Sequence, residues 1–388
     1  MKVALIETHA IPGVWKYDLG LAQELTTLGN DVTIITSKSF PQVNANSSAI
    51  DIVRIFPDLR AHSSFLAKGI LYLVGTFKAI NLVRTNEFDV VHWQHFNTLI
   101  PAETLLAKAL TWLKQRLVIT VHDVDPWSTV KVRANFLLKT TYQAAGRLIV
   151  HHKANVHELS AKYGIQESRI RVVPHGSYVE FSLSKRDKSA SRELLDIPVD
   201  AKVILFFGEI RPEKGLIHLI RAVKILYPAL PSLKLVIAGR PRHMDMSECL
   251  DEVTNSGLDD AVIARLDYID DSQVEAYFAM ADLIAIPYTS ITQSGILFEA
   301  MTAGRPVVAS DIGAVGPTVQ ENGIGHVVPP GDEEQLAQAI SDILENPDLA
   351  SQMSKNGLRA SKEIYSWARC ARDTDAIYGE LQSTNHLN

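Results

Sequence analysis

The chain has 388 residues, 46% of them hydrophobic and 21% charged; that length favours two or three domains, and that composition excludes disordered and collagen-like chains. No period of 20–50 residues marks a solenoid. The net charge of −6 is uneven: residues 1–185 carry 20 Lys/Arg against 14 Asp/Glu (+6), and the rest 18 against 30 (−12). The imbalance predicts two domains with different partners, the basic one suited to an anionic membrane surface or an anionic acceptor, though a solvated surface without a partner would look the same.

In chain order, Met1–Ile6 is apolar but stops at Glu7 and His9. That is too early for a signal peptide, so it reads as a first buried strand. Further strands are expected at Val32–Thr36, Val90–His92, Leu117–Val121 and Leu148–Val150, with an amphipathic helix over Leu19–Leu28. The segment Phe65–Lys78 is apolar with flanking lysines, and reads as an interfacial helix on a bilayer or as a core helix. Its longest apolar stretch, Gly69–Phe77, is nine residues, and about 20 are needed to span a membrane. Val172–Gly176 ends a strand in a turn, and the polar run Ser182–Ser191 places a linker near residues 176–200. A second strand set follows at Val203–Phe207, Lys234–Ala238, Val262–Ala264, Leu283–Pro287 and Pro306–Ala309, with a helix over Leu216–Leu226. Strands rich in Val, Ile and Leu on both faces, alternating with helices, predict parallel sheets covered on both sides. The fold class is therefore α/β: two Rossmann-like domains facing each other across a cleft, where ligands would bind at the carboxyl ends of the strands. The expected parts are an N-terminal domain over 1–185, a C-terminal domain over 186–365 and a final helix over 366–388. Cys249 and Cys370 are too few for a disulfide framework or a four-ligand zinc site and suit a reducing cytoplasm.

Three segments carry candidate chemistry. In Phe206–Gly215 a strand ends at Gly208, and Arg211 and Lys214 sit on a turn before a helix. Two cations beside a helix N-terminus suit a diphosphate; two solvated cations on a loop are the plainer reading. In Pro287–Gly304, Ser294 is an N-cap candidate and Gly304 a stop. Glu299 would share a helix face with Gly295, Thr302 and Ala303, a small-residue face suited to a ribose diol; a structural salt bridge is the alternative. In Thr120–Asp123, His122 would project from a strand end, as would His92 and His95, to meet a sugar or carry a proton, or to serve as structural histidines. His151-His152 is a poor metal pair because neighbours on a strand point to opposite faces. Asp123-Val124-Asp125 is too common a triplet to signal a metal. There is no Walker A loop or Gly-x-Ser-x-Gly elbow, and Gly323-Ile324-Gly325 is an incomplete dinucleotide fingerprint.

Together these segments resemble retaining nucleotide-sugar glycosyltransferases of family 4 (glycosyltransferase group 1), which have the two-Rossmann GT-B fold. The resemblance runs in order along nearly the whole chain. Gly13 with Leu21-Ala22 through Leu28–Val32, Asp89–His92, Thr120–Asp123, Val173–Gly176, Gly208–Gly215, Asp267–Pro287, Glu299–Ala309 and Gly331-Asp332 carry it. At His175 the family usually has Asn. Many members carry a Glu where Ile291 stands, and the family's usual Gly-Gly-x-x-Glu appears here as Gly313-Ala314-Val315-Gly316-Pro317, with no Glu.

The resemblance implies that Arg211 and Lys214 bind the diphosphate and stabilise the leaving nucleotide. It gives Glu299 the ribose, Ser294 and Gly295 backbone N–H groups for phosphate or sugar, and Tyr268-Ile269 the base. Gly13 and Gly208 would line the donor site, His122 would face sugar and acceptor, and Trp367 would open a helix returning to the first domain. The implied reaction moves a hexose from a UDP-sugar, with UDP-glucose the first guess, to a glycan or lipid-linked acceptor in surface polysaccharide synthesis, with retention and without metal or other cofactor. The expected location is cytoplasmic, peripheral to the inner face of the membrane, with no nucleic-acid partner. Readings left beside it are a nucleotide-sugar epimerase of the same fold and a non-catalytic two-lobed sugar-binding protein.

Overall fold

The computed structural model describes residues 1–9, 14–41, 50–58, 65–95, 100–113, 116–122, 124, 131–177, 187–290 and 294–383. The chain divides into two compact units, Met1–Tyr178 with Tyr365–Asn388, and Val179–Ile364.

The first unit holds seven strands: β1 (Lys2–Ile6), β2 (Asp31–Ser37), β3 (Ile50–Phe56), β4 (Val90–His95), β5 (Leu117–Val121), β6 (Arg147–Val150) and β7 (Ile170–Val172). They form one parallel sheet in the order β3-β2-β1-β4-β5-β6-β7. Between them run α1 (Val14–Thr27), α2 (Phe65–Asn86), α3 (Ile100–Trp112), α4 (Lys131–Ala144) and α5 (Lys153–Tyr163). Short parallel strands need such crossovers, and the buried parts of β1 (Val3–Ile6) and β5 are apolar apart from Thr120.

The second unit begins with α6 (Lys188–Leu194) and continues β8 (Lys202–Phe207), α7 (Leu216–Leu226), β9 (Leu233–Ala238), α8 (Ser247–Asn255), β10 (Val262–Arg265), α9 (Asp271–Met280) and β11 (Leu283–Ile286). It closes with α10 (Gly295–Thr302), β12 (Val307–Ser310), α11 (Val315–Asn322), β13 (Gly325–Val328), α12 (Glu333–Glu345) and α13 (Pro347–Glu363). Its parallel sheet has the order β10-β9-β8-β11-β12-β13. In α7, Leu216, Leu219, Ile220, Val223 and Leu226 recur at helical spacing and are all buried, each stabilising the packed state by about 1.5–3 kcal/mol.

The last helix, α14 (Trp367–Ser383), belongs to the first unit. Its Cys370, Ala371, Ile377, Tyr378 and Leu381 join α1, β1 and β2 in one core. Asp375 accepts a hydrogen bond from Asn30, and Glu380 pairs with Arg147 and Arg171. A methyl on Gly20 or Gly176 would stand 2.5 Å or 2.4 Å from the Trp367 ring, so the indole is seated against both backbones.

Several expectations need correction. The polar stretch around residue 190 holds helix α6, because Asp187 caps it by accepting from Ala190 N–H and its Arg192 is buried against Asp282. Three edge or near-edge strands escape the apolar pattern. β3 is half-buried and carries Asp51 and Arg54, β13 is four residues beginning at a glycine, and β7 keeps only Ile170 buried. β10, expected to be covered on both faces, is half-exposed because it ends the sheet. Gly325 begins β13 rather than a nucleotide loop: a methyl there would stand 1.8 Å from the Val307 carbonyl oxygen.

Candidate functional site

In the second unit the strand order reverses between β8 and β11, which is where open α/β sheets bind ligands. β8 leads into Gly208 (φ 97°), and the chain reaches Lys214 through a 3-10 turn, Pro212–Lys214. Gly215 (φ 66°) starts α7, and a methyl on it would stand 2.0 Å from the Pro287 carbonyl oxygen. Thr289 N–H donates to the Glu213 carbonyl at 2.8 Å, so the loops after β8 and β11 are fastened together.

Lys214 is only 7% exposed. Its Nζ lies 5.3 Å from the Tyr288 ring centroid and 3.4 Å from where a methyl on Gly208 would stand. Among the described residues no carboxylate forms an ion pair with it. A nearly buried ammonium resting on an aromatic face, with bare backbone beside it, is arranged to receive an anion. Arg211 differs: its Nε lies 3.1 Å from Glu213 and 3.8 Å from Glu209.

Ser294 takes the N-cap position of α10 but makes no side-chain cap; its hydroxyl points to Tyr288 at 3.5 Å. The N–H groups of the first turn of α10 therefore have no side-chain acceptor from the cap. Glu299 lies in the second turn and is half-buried rather than enclosed. Gly208, Lys214, Tyr288, Ser294 and the start of α10 thus come together. Tyr268, 69% exposed, and Ile269 follow β10, two strand positions from β8.

In the first unit, His122, His151 and His175 follow β5, β6 and β7, three neighbouring strands. His122 Nε2 lies 2.9 Å from Gln94 Oε1, and His122 Nδ1 lies 3.1 Å from His151 Nε2. His151 Nδ1 bonds the Val173 carbonyl and His175 Nδ1 the Gly176 carbonyl. The Tyr17 ring packs on all three imidazoles, with centroids 4.9–5.4 Å away. Burial pushes His151 down to about 4; burial, then His151, pushes His175 well below its usual value. Nearby, burial and then Glu7 push the Asp18 carboxyl well above its usual range.

His92 is not a strand-end histidine. It lies mid-strand, fully buried, with its ring nitrogens 2.6 Å from Tyr378 Oη and 2.7 Å from Thr120 Oγ1, and burial drops its pKa to about 3. His152 caps α5 by accepting from Ala154 N–H. Gly13, Asp123, Asp125 and the side chain of His95 lie outside the described residues. Sequence reasoning missed Tyr17, Gln94, Tyr288, His151 and His175 as partners. A signal existed for two of them: parallel neighbours put the residues after β5, β6 and β7 on one edge.

No described helix is long and apolar enough to cross a membrane. Helix α2 buries Tyr72, Ala79 and Val83 and exposes Ile70, Leu73, Val74 and Phe77.

Comparison with known proteins follows this geometry. The family described as glycosyl transferases group 1 matches residues 187–360, and glycosyltransferase family 4 matches residues 12–180. A D-inositol 3-phosphate glycosyltransferase of Corynebacterium glutamicum is 24% identical, covering 100% of this chain and 99% of its own. Anabaena HepE, solved in complex with UDP, shares the fold with a TM-score of 0.79 at 19% identity, over 98% of this chain and 100% of that one. Sucrose-phosphate synthase from Thermosynechococcus elongatus does so with a TM-score of 0.77 at 20% identity, over 99% and 100%. The two matched families cover both halves of a chain with two parallel Rossmann-like sheets: it is a group 1, family 4 glycosyltransferase with the GT-B fold.

Proposed function

We propose that the chain transfers a hexose from a nucleotide sugar, a UDP-hexose with UDP-glucose first, to an acceptor hydroxyl with retention of configuration. The observation that carries this reading is Lys214, a nearly buried ammonium without a carboxylate partner among the described residues, set beside Gly208 at the strand-order reversal. As the sugar departs, negative charge grows on the nucleoside diphosphate. Lys214 faces that charge, Arg211 adds a second cation, and the first turn of α10 at Ser294 and Gly295 offers N–H groups. With these cations in place, transfer needs no Mg²⁺ or Mn²⁺ at the diphosphate. Glu299 accepts from the ribose, Tyr268-Ile269 flank the base, and His122 serves the sugar and acceptor. The UDP complex of HepE supports a uridine nucleotide.

The acceptor is a glycan or lipid-linked hydroxyl; the relative named for inositol 3-phosphate adds a phosphorylated polyol. The exposed apolar face of α2 supports peripheral membrane contact by the first unit.

The test is turnover of a nucleotide-sugar panel with each acceptor class, wild type against Lys214→Ala. Removing a preorganised donor of this kind typically lowers kcat by about 10²–10³. A folded Lys214→Ala that keeps wild-type kcat, or transfer abolished by chelation and restored only by Mg²⁺ or Mn²⁺, defeats this reading.

A further inference from the structure

We infer that His122, His151 and His175 form a binding site for a divalent cation of the Zn²⁺ class, which clips together the carboxyl ends of β5, β6 and β7. The site lies wholly within the first unit and departs from the sequence expectation of a metal-free chain; it takes both ring nitrogens of His122, so a cation there excludes the sugar contact proposed above for that side chain, and its test reads metal uptake rather than transfer.

The first support is convergence. Each histidine offers one ring nitrogen such that the three atoms lie within 4.8 Å of one another, and among the described residues this is the one such group of three or more His, Cys, Asp or Glu. Nitrogens 2.0–2.1 Å from a tetrahedral Zn²⁺ stand about 3.3–3.5 Å apart. The pair His122 Nδ1 and His151 Nε2, at 3.1 Å, is already near that spacing, and the His175 ligand atom lies within 4.8 Å of the other two.

The second support is the proton count. A carbonyl oxygen can only accept, so Val173 fixes the His151 proton on Nδ1 and leaves a lone pair on Nε2. Gln94 bonds His122 Nε2 at 2.9 Å; with its Oε1 turned to the ring, the His122 proton sits on Nε2, a lone pair is left on Nδ1, and Gln94 Nε2 has no partner among the described residues. In that orientation two lone pairs face each other at 3.1 Å, an arrangement that a cation satisfies; with the amide reversed, His122 Nδ1–H donates to His151 Nε2 instead. The Gly176 carbonyl accepts from His175 Nδ1 likewise, which leaves Nε2 as the nitrogen that this ring can offer. An outer oxygen acceptor on each imidazole is the arrangement that orients metal-ligating histidines. A shared proton, or a reversed Gln94 amide, is the rival arrangement, and it takes up no metal.

The experiment uses the full chain without a polyhistidine tag. Zn²⁺ is titrated against a chromophoric chelator, Co²⁺ is followed by its visible bands, and melting is recorded with and without Zn²⁺. Wild type should bind one equivalent, give a tetrahedral Co²⁺ spectrum and melt higher with Zn²⁺. His151→Ala and His175→Asn should each weaken Zn²⁺ binding by at least about 100-fold, beyond the 10–100-fold typical of losing an outer-shell partner. His157→Ala, an exposed histidine, should bind as wild type does. No uptake by folded wild type, or uptake unchanged in both triad variants, overturns the site; if a triad variant does not fold, the wild-type stoichiometry and Co²⁺ spectrum decide.

Discussion

At the carboxyl edge of the first sheet, β5, β6 and β7 end in histidines packed under Tyr17. At the same edge of the second sheet, β8 and β9 end in Gly208 and Gly239, so close that a methyl on Gly239 would stand 1.9 Å from the Gly208 carbonyl oxygen. One plan has thus been finished in two ways. The first edge is filled with imidazoles; the second is stripped to backbone around one buried ammonium. A parallel sheet delivers residues to a common edge, and the strand-end residue decides whether that edge is packed or left open for an anion.

The largest way to test this contrast is acid. Burial pushes His92 down to about 3 and His151 down to about 4 in the folded chain, against about 6.5 unfolded. The unfolded chain therefore binds more protons below pH 6.5. Stability is fully present above that pH and falls as pH drops through 4 towards 3. Each pKa unit is worth about 1.4 kcal/mol, so the two together remove several kcal/mol. The second unit has no histidine among its buried described residues. All five tryptophans lie outside Val179–Ile364, so their fluorescence reports the first unit. At pH 4.5 that signal should melt many degrees lower than at pH 7; equal melting at the two values would remove the packed-histidine account.

The next effect belongs to the stripped edge. Gly239→Ala meets both a positive φ, 149°, and a backbone oxygen. The conformation costs about 1–3 kcal/mol and the overpacking a similar amount. Gly29→Ala, with φ 88° and nothing within 4 Å, should show the conformational part alone. Urea unfolding of the two variants that gave equal losses would show that close backbone approach is not what holds the second edge together.

Much of this frame was legible from sequence, for a physical reason. Strands buried on both faces must be mainly apolar, so β1 after Lys2, β5 around its one Thr120 and β8 after Lys202 announce themselves. Edge strands such as β3 and β13 need bury little and carry Asp51 or Gly325, so the pattern fails there. Site residues followed the same logic. Lys214 was legible because two cations beside a strand-end glycine are conspicuous. The histidine group was not, since its members are 29 and 24 residues apart and meet only once the strand order is known. Even His151, seen beside His152, was judged against the wrong neighbour.

A smaller effect tests the ribose role of Glu299. Glu299 is half-buried in the second turn of α10; under the proposed role its carboxylate accepts a charged hydrogen bond from the ribose, worth about 1.5–3 kcal/mol. Calorimetric titration of Glu299→Ala with UDP should show that loss, and a 2′,3′-dideoxy nucleotide should bind both proteins about equally. A dideoxy nucleotide that still distinguished them would make Glu299 structural.

The smallest and most discriminating comparison lies within the second edge, between its two cations. Sequence reasoning treats Arg211 and Lys214 as equals, each carrying most of kcat. The structure separates them: Glu213 lies 3.1 Å from Arg211 Nε and Glu209 3.8 Å away, while no described carboxylate pairs with Lys214. Part of the Arg211 charge is therefore neutralised before any phosphate arrives, and the guanidinium is held by its Nε edge. Lys214 rests on the Tyr288 ring with no carboxylate partner among the described residues, so under the proposed role its charge is not offset before a diphosphate arrives. Arg211→Ala should lose kcat at or below the low end of the range for a preorganised donor, about 10². Lys214→Ala should lose about tenfold more, a difference of about 1.4 kcal/mol. Glu213→Gln should raise phosphate affinity in wild type, through the released Arg211, and do nothing in Arg211→Ala. Equal losses for the two cations, or a Glu213→Gln effect that survives without Arg211, would mean that the ion pair does not set their division of labour.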